Sequence, residues 1–304
     1  MSEVFSSPAP RVCIVTINWN GLADTLECLT SLRGDTYANK RVIVVDNGSS
    51  DDSVAVIRRQ FPEVTVLEAG CNLGFTGANN LGLLHAMDAK YIYWLNNDTL
   101  SDPHAVEALV SAAEAEARFG ILTPLIRYFD PPREPWFAGS RIELDQGIAV
   151  HDNEHPPATH DASFEIPWAS GCAMFARVDL MRELGGFDDR FFLNWEDVDL
   201  SLRTRAAGRS VGLVPSARID HKIGRSFATA GGTGAYYSVR NNLLLVRLHA
   251  PARGRWKIQW RVIDRHLRCG LRALRRREPH SFRGVLLILR GVTDYLMKRH
   301  GPLK

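Results

Sequence analysis

Residues 11–95 alternate between short apolar runs and helical patterns, and this alternation limits the possible folds more than any other feature of the sequence. Four runs rich in branched or aromatic residues predict strands at 11–17, 41–45, 64–67 and 91–95. Between the first two, leucines at helical spacing predict a helix over 22–33. Strands that alternate with helices imply right-handed βαβ units, so we expect an α/β fold whose central sheet is mostly parallel, with helices on both faces.

Small polar residues follow the predicted strands, where a parallel sheet would bring them to one edge. They are Asn18, Asn20, Asp46, Asn47, Asn72, Asn96, Asn97 and Asp98. Ligands of open α/β sheets bind beyond the carboxyl ends of strands, where an acidic side chain can accept from a ribose or a base. The pattern predicts a nucleotide pocket, and simple polar turns are the alternative. The first strand is followed by neither a P-loop motif nor G-x-G-x-x-G, so neither of those nucleotide folds is favoured.

Asp98 is the acidic residue that directly follows the most aromatic of these strands, 91–95. A carboxylate in this place can hold a divalent cation and, through the cation, a phosphate. The alternative is turn chemistry, because Asn-Asn-Asp is a common turn sequence and Pro103 follows it.

The second half of the sequence is less regular. A helix is predicted over 102–117, a strand over 120–127, a β-hairpin over 136–150 and a buried strand over 168–175. The three histidines within 151–163 fit no helix face or tight loop, so a solvated loop is favoured over a metal site.

Three acids, Glu196, Asp197 and Asp199, begin a predicted helix that follows Phe191, Phe192 and Trp195. Acids at a helix N-terminus complement its dipole, which accounts for one or two of them. Apolar neighbours raise the pKa of a carboxyl group, and a general base needs such a setting. Further along, His221 ends a predicted strand and precedes the glycine-rich residues 224–234, a pattern typical of a lid.

Cysteine usage and hydropathy indicate a cytoplasmic protein. The five cysteines lie far apart without a C-x-x-C pair, which disfavours zinc and disulfides. Residues 1–10 lack the pattern of a signal peptide, and no apolar stretch of about 18 residues predicts a membrane span.

Residues 251–304 differ from the rest in charge, with fifteen Lys and Arg against three Asp and Glu. Apolar residues recur there at helical spacing among the arginines: Trp256, Trp260, Ile263, Leu267, Leu271 and Leu274. A basic amphipathic helix with tryptophan predicts peripheral contact with an anionic membrane. The alternatives are a helix packed on the core with a solvated basic face, and a contact between two copies in a homodimer. Nucleic-acid binding is disfavoured because no reader motif is present.

Taken in order, several stretches resemble the family 2 inverting glycosyltransferases with a GT-A fold, and most closely the bacterial rhamnosyltransferase-like branch. The matching stretches are 16–21, 44–51, 72–79, 95–99, 170–171, 185–188, 196–200, and His221 with Ser226. They imply a glycosyltransferase domain over 1–250, with a nucleotide-binding half at 11–100 and an acceptor-binding half at 101–250. Residues 251–304 would be a basic helical extension.

The resemblance also assigns roles to residues. The donor nucleotide sugar is expected to bind Thr16, Asn18, Asp46, Asn72, Gly74 and Asn97, with Asp46 at the base or ribose. The Asn96-Asn97-Asp98 segment occupies the place of the family's Asp-x-Asp motif. Asp98 is therefore its one acidic ligand for Mg²⁺ or Mn²⁺, His221 is the second protein ligand, and modest metal affinity is expected. Asp197 matches the catalytic base, and Gly171, Trp195 and Glu196 are expected on the acceptor side.

The implied reaction is metal-dependent transfer of L-rhamnose from dTDP-rhamnose to a saccharide or lipid-diphosphate-linked acceptor, at the inner face of the cell membrane. It would serve the synthesis of cell-surface polysaccharide. The alternatives are a UDP-sugar donor, a sugar-nucleotide nucleotidyltransferase, and a non-catalytic protein that binds a sugar nucleotide.

Overall fold

The computed structural model describes residues 9–153, 162–223 and 233–303. Its central feature is a large sheet flanked by helices. The first half contains β1 (Val12–Asn18), α1 (Leu22–Arg33), β2 (Lys40–Asp46), α2 (Ser53–Gln60), β3 (Thr65–Glu68), α3 (Gly74–Leu84), β4 (Tyr91–Leu95) and β5 (Thr99–Ser101). There follow α4 (Ala105–Ala115), β6 (Phe119–Tyr128), β7 (Pro135–Phe137), β8 (Ser140–Glu143), β9 (Ile148–His151), β10 (Phe164–Glu165), β11 (Ala173–Arg177) and α5 (Val178–Leu184). The remainder contains α6 (Glu196–Ala206), β12 (Ser210–His221), α7 (Thr233–His249), α8 (Arg255–Arg275) and α9 (Ser281–Leu296).

The first four strands form the predicted parallel unit, in the order β3-β2-β1-β4. Parallel strands covered on both faces are apolar throughout, and every side chain of β4 is buried. Helices lie on both faces of β1: α1 contacts Asn18 through Thr25, whereas a Cβ on Gly82 of α3 would lie 2.3 Å from Val15. The predicted α/β class is confirmed.

The second half of the sheet is mixed, because β11 runs antiparallel between β4 and β6. The long strand β12 then pairs in parallel with β6 and places His221 beside the end of β5. Parallel pairing therefore occurs in both halves of the sheet, and the antiparallel strand β11 lies between the two parallel parts. The predicted hairpin forms from β8 and β9.

The strand predicted over 168–175 begins only at Ala173, so this prediction was wrong for residues 168–172. Their backbone groups bind side chains elsewhere: the N–H of Ala169 donates to Ser201, and that of Gly171 donates to Asp197. Apolar composition predicted a buried segment correctly, but its N–H groups donate to side-chain oxygens, two of them on α6, and not to the carbonyls of a neighbouring strand.

The C-terminal helices pack on the rest of the molecule through one face. Ile258 and Val262 of α8, and Ile288 and Tyr295 of α9, are buried in the main core. Within the three described ranges, no helix is both long enough and apolar enough to cross a membrane.

Candidate active site

Asp46 is buried at the carboxyl end of β2 and is held by the neighbouring loop. Its Oδ2 accepts from the amide of Asn18 at 2.9 Å, and its Oδ1 accepts from the backbone N–H of Ser49 at 3.0 Å. Parallel register places Asn18 and Asp46 side by side, which explains why residues 28 positions apart share one network. The carboxylate is thus fixed in place at the predicted nucleotide edge.

A second chain of hydrogen bonds joins this network to the end of β4. Asn97 donates to the Thr25 hydroxyl at 2.9 Å, and Thr25 donates to Asn18 Oδ1 at 2.8 Å. Gly21 closes over these groups, because a Cβ there would lie 2.8 Å from Asn97 Nδ2. Two of the three asparagines expected to contact the donor, Asn18 and Asn97, therefore share one partner, Thr25, which the sequence did not single out.

Asn72 and Gly74 shape the loop that opens α3. The side-chain oxygen of Asn72, Oδ1, accepts from the backbone N–H of Gly74 at 2.8 Å and from the side-chain amide of Asn47 at 3.2 Å. Gly74 has φ +75°, and a Cβ there would lie 2.5 Å from Phe192. Thr16 lies deeper: its side chain is fully buried, and its hydroxyl finds no hydrogen-bond partner within the described ranges.

Asp98 and His221 meet where β4 and β12 end. Asp98 Oδ1 lies 3.2 Å from His221 Nε2, and both side chains are 8% exposed. Burial lowers the pKa of His221, but Cys172 and the Asp98 carboxylate outweigh it and raise the pKa to about 10. In the described part of the chain, Asp98 Oδ1 has no aligned hydrogen-bond donor and His221 Nδ1 has no partner at all.

These two side chains fit a divalent cation once His221 has lost its second ring proton, because histidine binds metal only as the neutral imidazole and a bound cation displaces that proton. Adjacent ligands of an octahedral ion with bonds of about 2.1 Å lie about 3.0 Å apart, close to the observed separation. Buried polar atoms without partners are costly, and a cation would satisfy the exposed lone pair of Asp98. The described residues contain no group of three or more His, Cys, Asp or Glu arranged around a metal.

Lys222 tethers this corner to α1. Its Nζ lies 2.9 Å from Asp24 and 2.8 Å from Glu27, and its backbone N–H donates to the carbonyl of Asp98. The lysine side chain is only 4% exposed, so its pairing with carboxylates offsets the cost of burying its charge. Asp24 and Lys222 are 198 residues apart, and no sequence pattern connects them.

Asp197 lies at the start of α6 and is partly exposed. Its two oxygens accept from the backbone N–H groups of Gly171 at 2.9 Å and Val198 at 2.8 Å. Burial raises the pKa of Asp197, although these N–H groups oppose the rise. Burial, followed by the charge of Asp197, raises the pKa of Glu196 well above its usual range. Glu196 Oε2 has no partner in the described ranges, so Asp197 ionises before Glu196.

The third acid of this segment has a structural role. Asp199 is 1% exposed and pairs with Arg203 at 2.7 Å and with His249 of α7 at 2.7 Å. The sequence alone could not assign separate roles to Glu196, Asp197 and Asp199, whereas their contacts distinguish them. Asp199 stabilises the packing of α6 on α7, whereas Asp197 is partly exposed and binds only backbone N–H groups.

The two chemical groups converge on Cys172. The pKa of this buried thiol is raised by burial, lowered by His221, and raised by the nearby carboxylates of Asp98 and Asp197. A hydrogen bond from the N–H of Asn96 to the Cys172 carbonyl, at 2.8 Å, joins β4 to this segment. The structure therefore brings the predicted metal ligands and the predicted base to one site. Trp195 caps α6 beside them with φ +74°.

Two predicted loops fall largely outside the description. Residues 224–232 of the predicted lid, which include Ser226, and residues 154–161 of the histidine-rich loop lie outside the described residues. His151 is described: it packs against Trp136, whose other edge contacts His221 at 4.7 Å between ring centroids.

Comparison with known proteins gives matches at the levels of family, sequence and fold. Residues 12–185 match the family model described as Glycosyl transferase family 2. An N-acetylglucosaminyl-diphospho-decaprenol L-rhamnosyltransferase from Mycobacterium tuberculosis is 28% identical over an alignment of 296 positions. The alignment covers 82% of this chain and 91% of that protein.

Solved glycosyltransferases share the architecture. A mannosyltransferase from Pyrobaculum calidifontis, in complex with GDP-Man and Mn²⁺, superposes with a TM-score of 0.59 at 16% identity, covering 98% of this chain and 77% of that one. GalNAc-T7 with UDP, GalNAc and Mn²⁺ gives 0.62 at 15% identity, covering 71% and 44%. These likenesses confirm the predicted GT-A fold.

Proposed function

Because this chain belongs to glycosyl transferase family 2, we propose that it is a metal-dependent inverting enzyme that transfers L-rhamnose from dTDP-rhamnose to a lipid-diphosphate-linked saccharide. The rhamnosyltransferase relative, whose name specifies a diphospho-decaprenol acceptor, supports this choice of sugar and acceptor. Transfer of a sugar is common to the family; the donor, the acceptor and the metal are our proposal.

One observation carries the proposal: the pair Asp98–His221 and the carboxylate Asp197 converge around Cys172. Inverting transfer needs a site for the leaving diphosphate and a base for the attacking hydroxyl, and these must lie on opposite sides of the sugar. A cation site beside a partly exposed carboxylate of raised pKa provides both.

The chemistry follows from where these residues lie. Asp46 and Asn18 bind the nucleoside, and Asp98 with His221 would hold the cation, which stabilises negative charge on the diphosphate when bound. Asp197 accepts the proton of the acceptor hydroxyl as its oxygen attacks the anomeric carbon. The bond from that carbon to the diphosphate breaks as the new bond forms on the opposite face, so the configuration inverts without a covalent enzyme intermediate.

A UDP-sugar donor is the second candidate. Of the structural neighbours, one contains UDP-GlcNAc and another GDP-Man, so the fold accepts several nucleotides. No contact described above reads the difference between thymine and uracil. A nucleotidyltransferase is disfavoured because the segment after β1, Asn18-Trp19-Asn20-Gly21, supplies no basic side chain for a triphosphate.

A thermal-shift panel of nucleotide sugars, with and without Mn²⁺, tests the donor. A ligand at 100 times its Kd adds about 2.7 kcal/mol to the free energy of unfolding, which raises the Tm of a chain this size by several degrees. We expect dTDP-rhamnose to give the largest shift, and Mn²⁺ to increase it. Free rhamnose with Mn²⁺ is the control and should give no shift. A flat response to every nucleotide would contradict the proposal, and a larger response to UDP-sugars would favour the second candidate.

We also propose that α8 and α9 contact an anionic membrane. Trp256 and Trp260 are 68% and 67% exposed, and Leu271 and Leu274 recur on the same face of α8. On α9, Phe282, Leu286 and Leu289 form a similar exposed stripe. Exposed apolar stripes flanked by arginines are typical of helices that lie in a membrane interface, and such contact would bring the site to a lipid-linked acceptor.

Replacing Trp256 and Trp260 together with serine is expected to weaken binding to phosphatidylglycerol vesicles by about tenfold or more, because both rings leave the interface. Point variants are preferable to deleting the tail, since Ile258 and Val262 belong to the core. Leu84→Ser is the control, because Leu84 is 68% exposed on α3. Co-sedimentation measures the effect. Wild-type protein that stays in the supernatant would contradict membrane contact.

A further inference from the structure

The loop Phe191–Trp195, here called the base loop, leads directly into α6 and Asp197. Phe192, Asn194 and Trp195 have φ of 64°, 70° and 74°. Bulky residues rarely adopt this left-handed conformation and keep it only where surrounding groups hold them. Because Asp197 comes two residues after the loop, the path of the loop decides where its carboxylate lies.

The side chain of Asn241, on α7, hydrogen-bonds to the backbone of the base loop. Its Nδ2 lies 2.8, 2.7 and 2.9 Å from the carbonyl oxygens of Phe191, Leu193 and Asn194. Its Oδ1 accepts from Nε of Arg240 at 2.9 Å, so only one orientation of the amide gives every atom a suitable partner. The side chain is fully buried.

Arg240 adds a second set of contacts. Its Nη2 donates to the carbonyls of Phe191 at 2.7 Å and Arg190 at 3.1 Å, and its Nη1 donates to that of Gly301 at 2.5 Å. The guanidinium is 1% exposed, although burying a charge is costly unless its hydrogen bonds are satisfied. A buried arginine whose donors reach loop carbonyls organises backbone, which a packed apolar residue could not do.

The base loop also contacts the start of α3, because the carbonyl of Phe192 accepts from the N–H of Phe75 at 2.7 Å. The Phe192 ring stacks on Tyr237, which adds a contact with α7. The loop is thus held between the start of α3 and the middle of α7.

From these contacts we infer that Arg240 and Asn241 are positioning residues. They hold the base loop in its left-handed conformation and thereby aim Asp197 at the acceptor hydroxyl, without touching substrate. This inference rests on the proposed role of Asp197 as the base. It assigns a catalytic consequence to two residues on a helix outside the segment matched by the family model.

The test compares Asn241→Asp and Asn241→Ser with Asn242→Ala. Asn242 is a matched control: it is equally buried and adjacent, but it donates to Gly147 in the hairpin at 3.1 Å. A carboxylate at 241 would face three carbonyl oxygens and release the loop. We expect the rate of hydrogen exchange in residues 190–198 to rise at least tenfold. We expect kcat to fall about 100-fold, which is the usual cost of displacing a catalytic group by about 1 Å. Affinity for the nucleoside diphosphate should stay within twofold. Asn242→Ala should change none of these quantities.

Asn241→Ser is the milder variant and decides the question if Asn241→Asp does not fold. Unchanged exchange in the loop, or equal losses in Asn242→Ala, would overturn the inference. If Asp197→Asn is inactive while Asn241→Ser keeps full kcat, the positioning role is wrong and the proposed function stands. If Asp197→Asn transfers sugar normally, the proposed function is wrong, while the exchange data still decide whether α7 orders the loop.

Discussion

Asp197→Asn is expected to lower the rate of sugar transfer by about 10²–10⁴-fold, the usual contribution of a general base. The asparagine cannot accept the proton of the acceptor hydroxyl at any pH in the working range. Binding of the nucleoside diphosphate should persist, because Asp46 and the Asp98–His221 pair are untouched. Transfer from the donor that the thermal-shift panel identifies, and titration calorimetry with the nucleoside diphosphate, measure the two quantities separately.

Asp179→Asn is the matched control for this variant. Asp179 is also the second residue of a helix, and its Oδ1 accepts from the next backbone N–H at 2.7 Å, as Asp197 does from Val198 at 2.8 Å. It lies on α5, away from Cys172 and the cation site. Equal losses of activity in the two variants would indicate a general effect of removing a helix N-terminal acid, and would contradict the role of Asp197.

The pH dependence of transfer should carry the same signature. Burial raises the pKa of Asp197 in the folded protein, and only the ionised form can take a proton. As pH falls, the base form is therefore lost at a higher pH than for an ordinary aspartate, whose pKa is about 3.9. The acid limb of kcat should lie above that value. An acid limb at or below it would mean that the limiting group is not this carboxyl.

The sequence predicted the structure of residues 11–100 well because local patterns decide it. The helix expected over 22–33 forms as Leu22–Arg33, and the strand expected over 91–95 forms as Tyr91–Leu95. Each is short, strongly periodic, and bounded by polar residues that end it. Parallel pairing then brings Asn18 beside Asp46 without further information.

The contacts that organise the candidate site could not be predicted in this way. Arg240 and Asn241 belong to a polar triplet, residues 240–242, of residue types that usually lie at the surface, yet both are buried against loop carbonyls. The segment at 168–172 appeared to be a strand because it is apolar, and only the position of α6 shows where the N–H groups of Ala169 and Gly171 donate. In each case the partner lies on an element distant in sequence, so no local pattern carries the signal.

Asp98 and His221 illustrate an intermediate case. The resemblance singled out both as metal ligands, and their meeting at 3.2 Å depends on how β12 crosses beside β5. Their roles stay a prediction, and the weak point is the same one that the sequence revealed: Asn96 and Asn97 supply no charge, so Asp98 alone must balance the cation on the protein side.

The decisive variants are Asp98→Asn and His221→Ala, and their effect should appear in binding. In wild-type protein we expect Mn²⁺ to increase the affinity for the nucleoside diphosphate. In either variant this increase in affinity should be about 10–100-fold smaller, since even changes to groups outside the first ligand shell cost that much metal affinity. In chelator the variants should bind as wild type, because the proposed nucleoside contact at Asp46, which Asn18 holds in place, is unchanged. Titration calorimetry with and without Mn²⁺ measures the nucleotide affinity in each condition. Asp220→Asn is the control, as Asp220 neighbours His221 but pairs with Arg127. An equal loss of affinity with and without metal would mean that Asp98 and His221 shape the pocket and bind no cation.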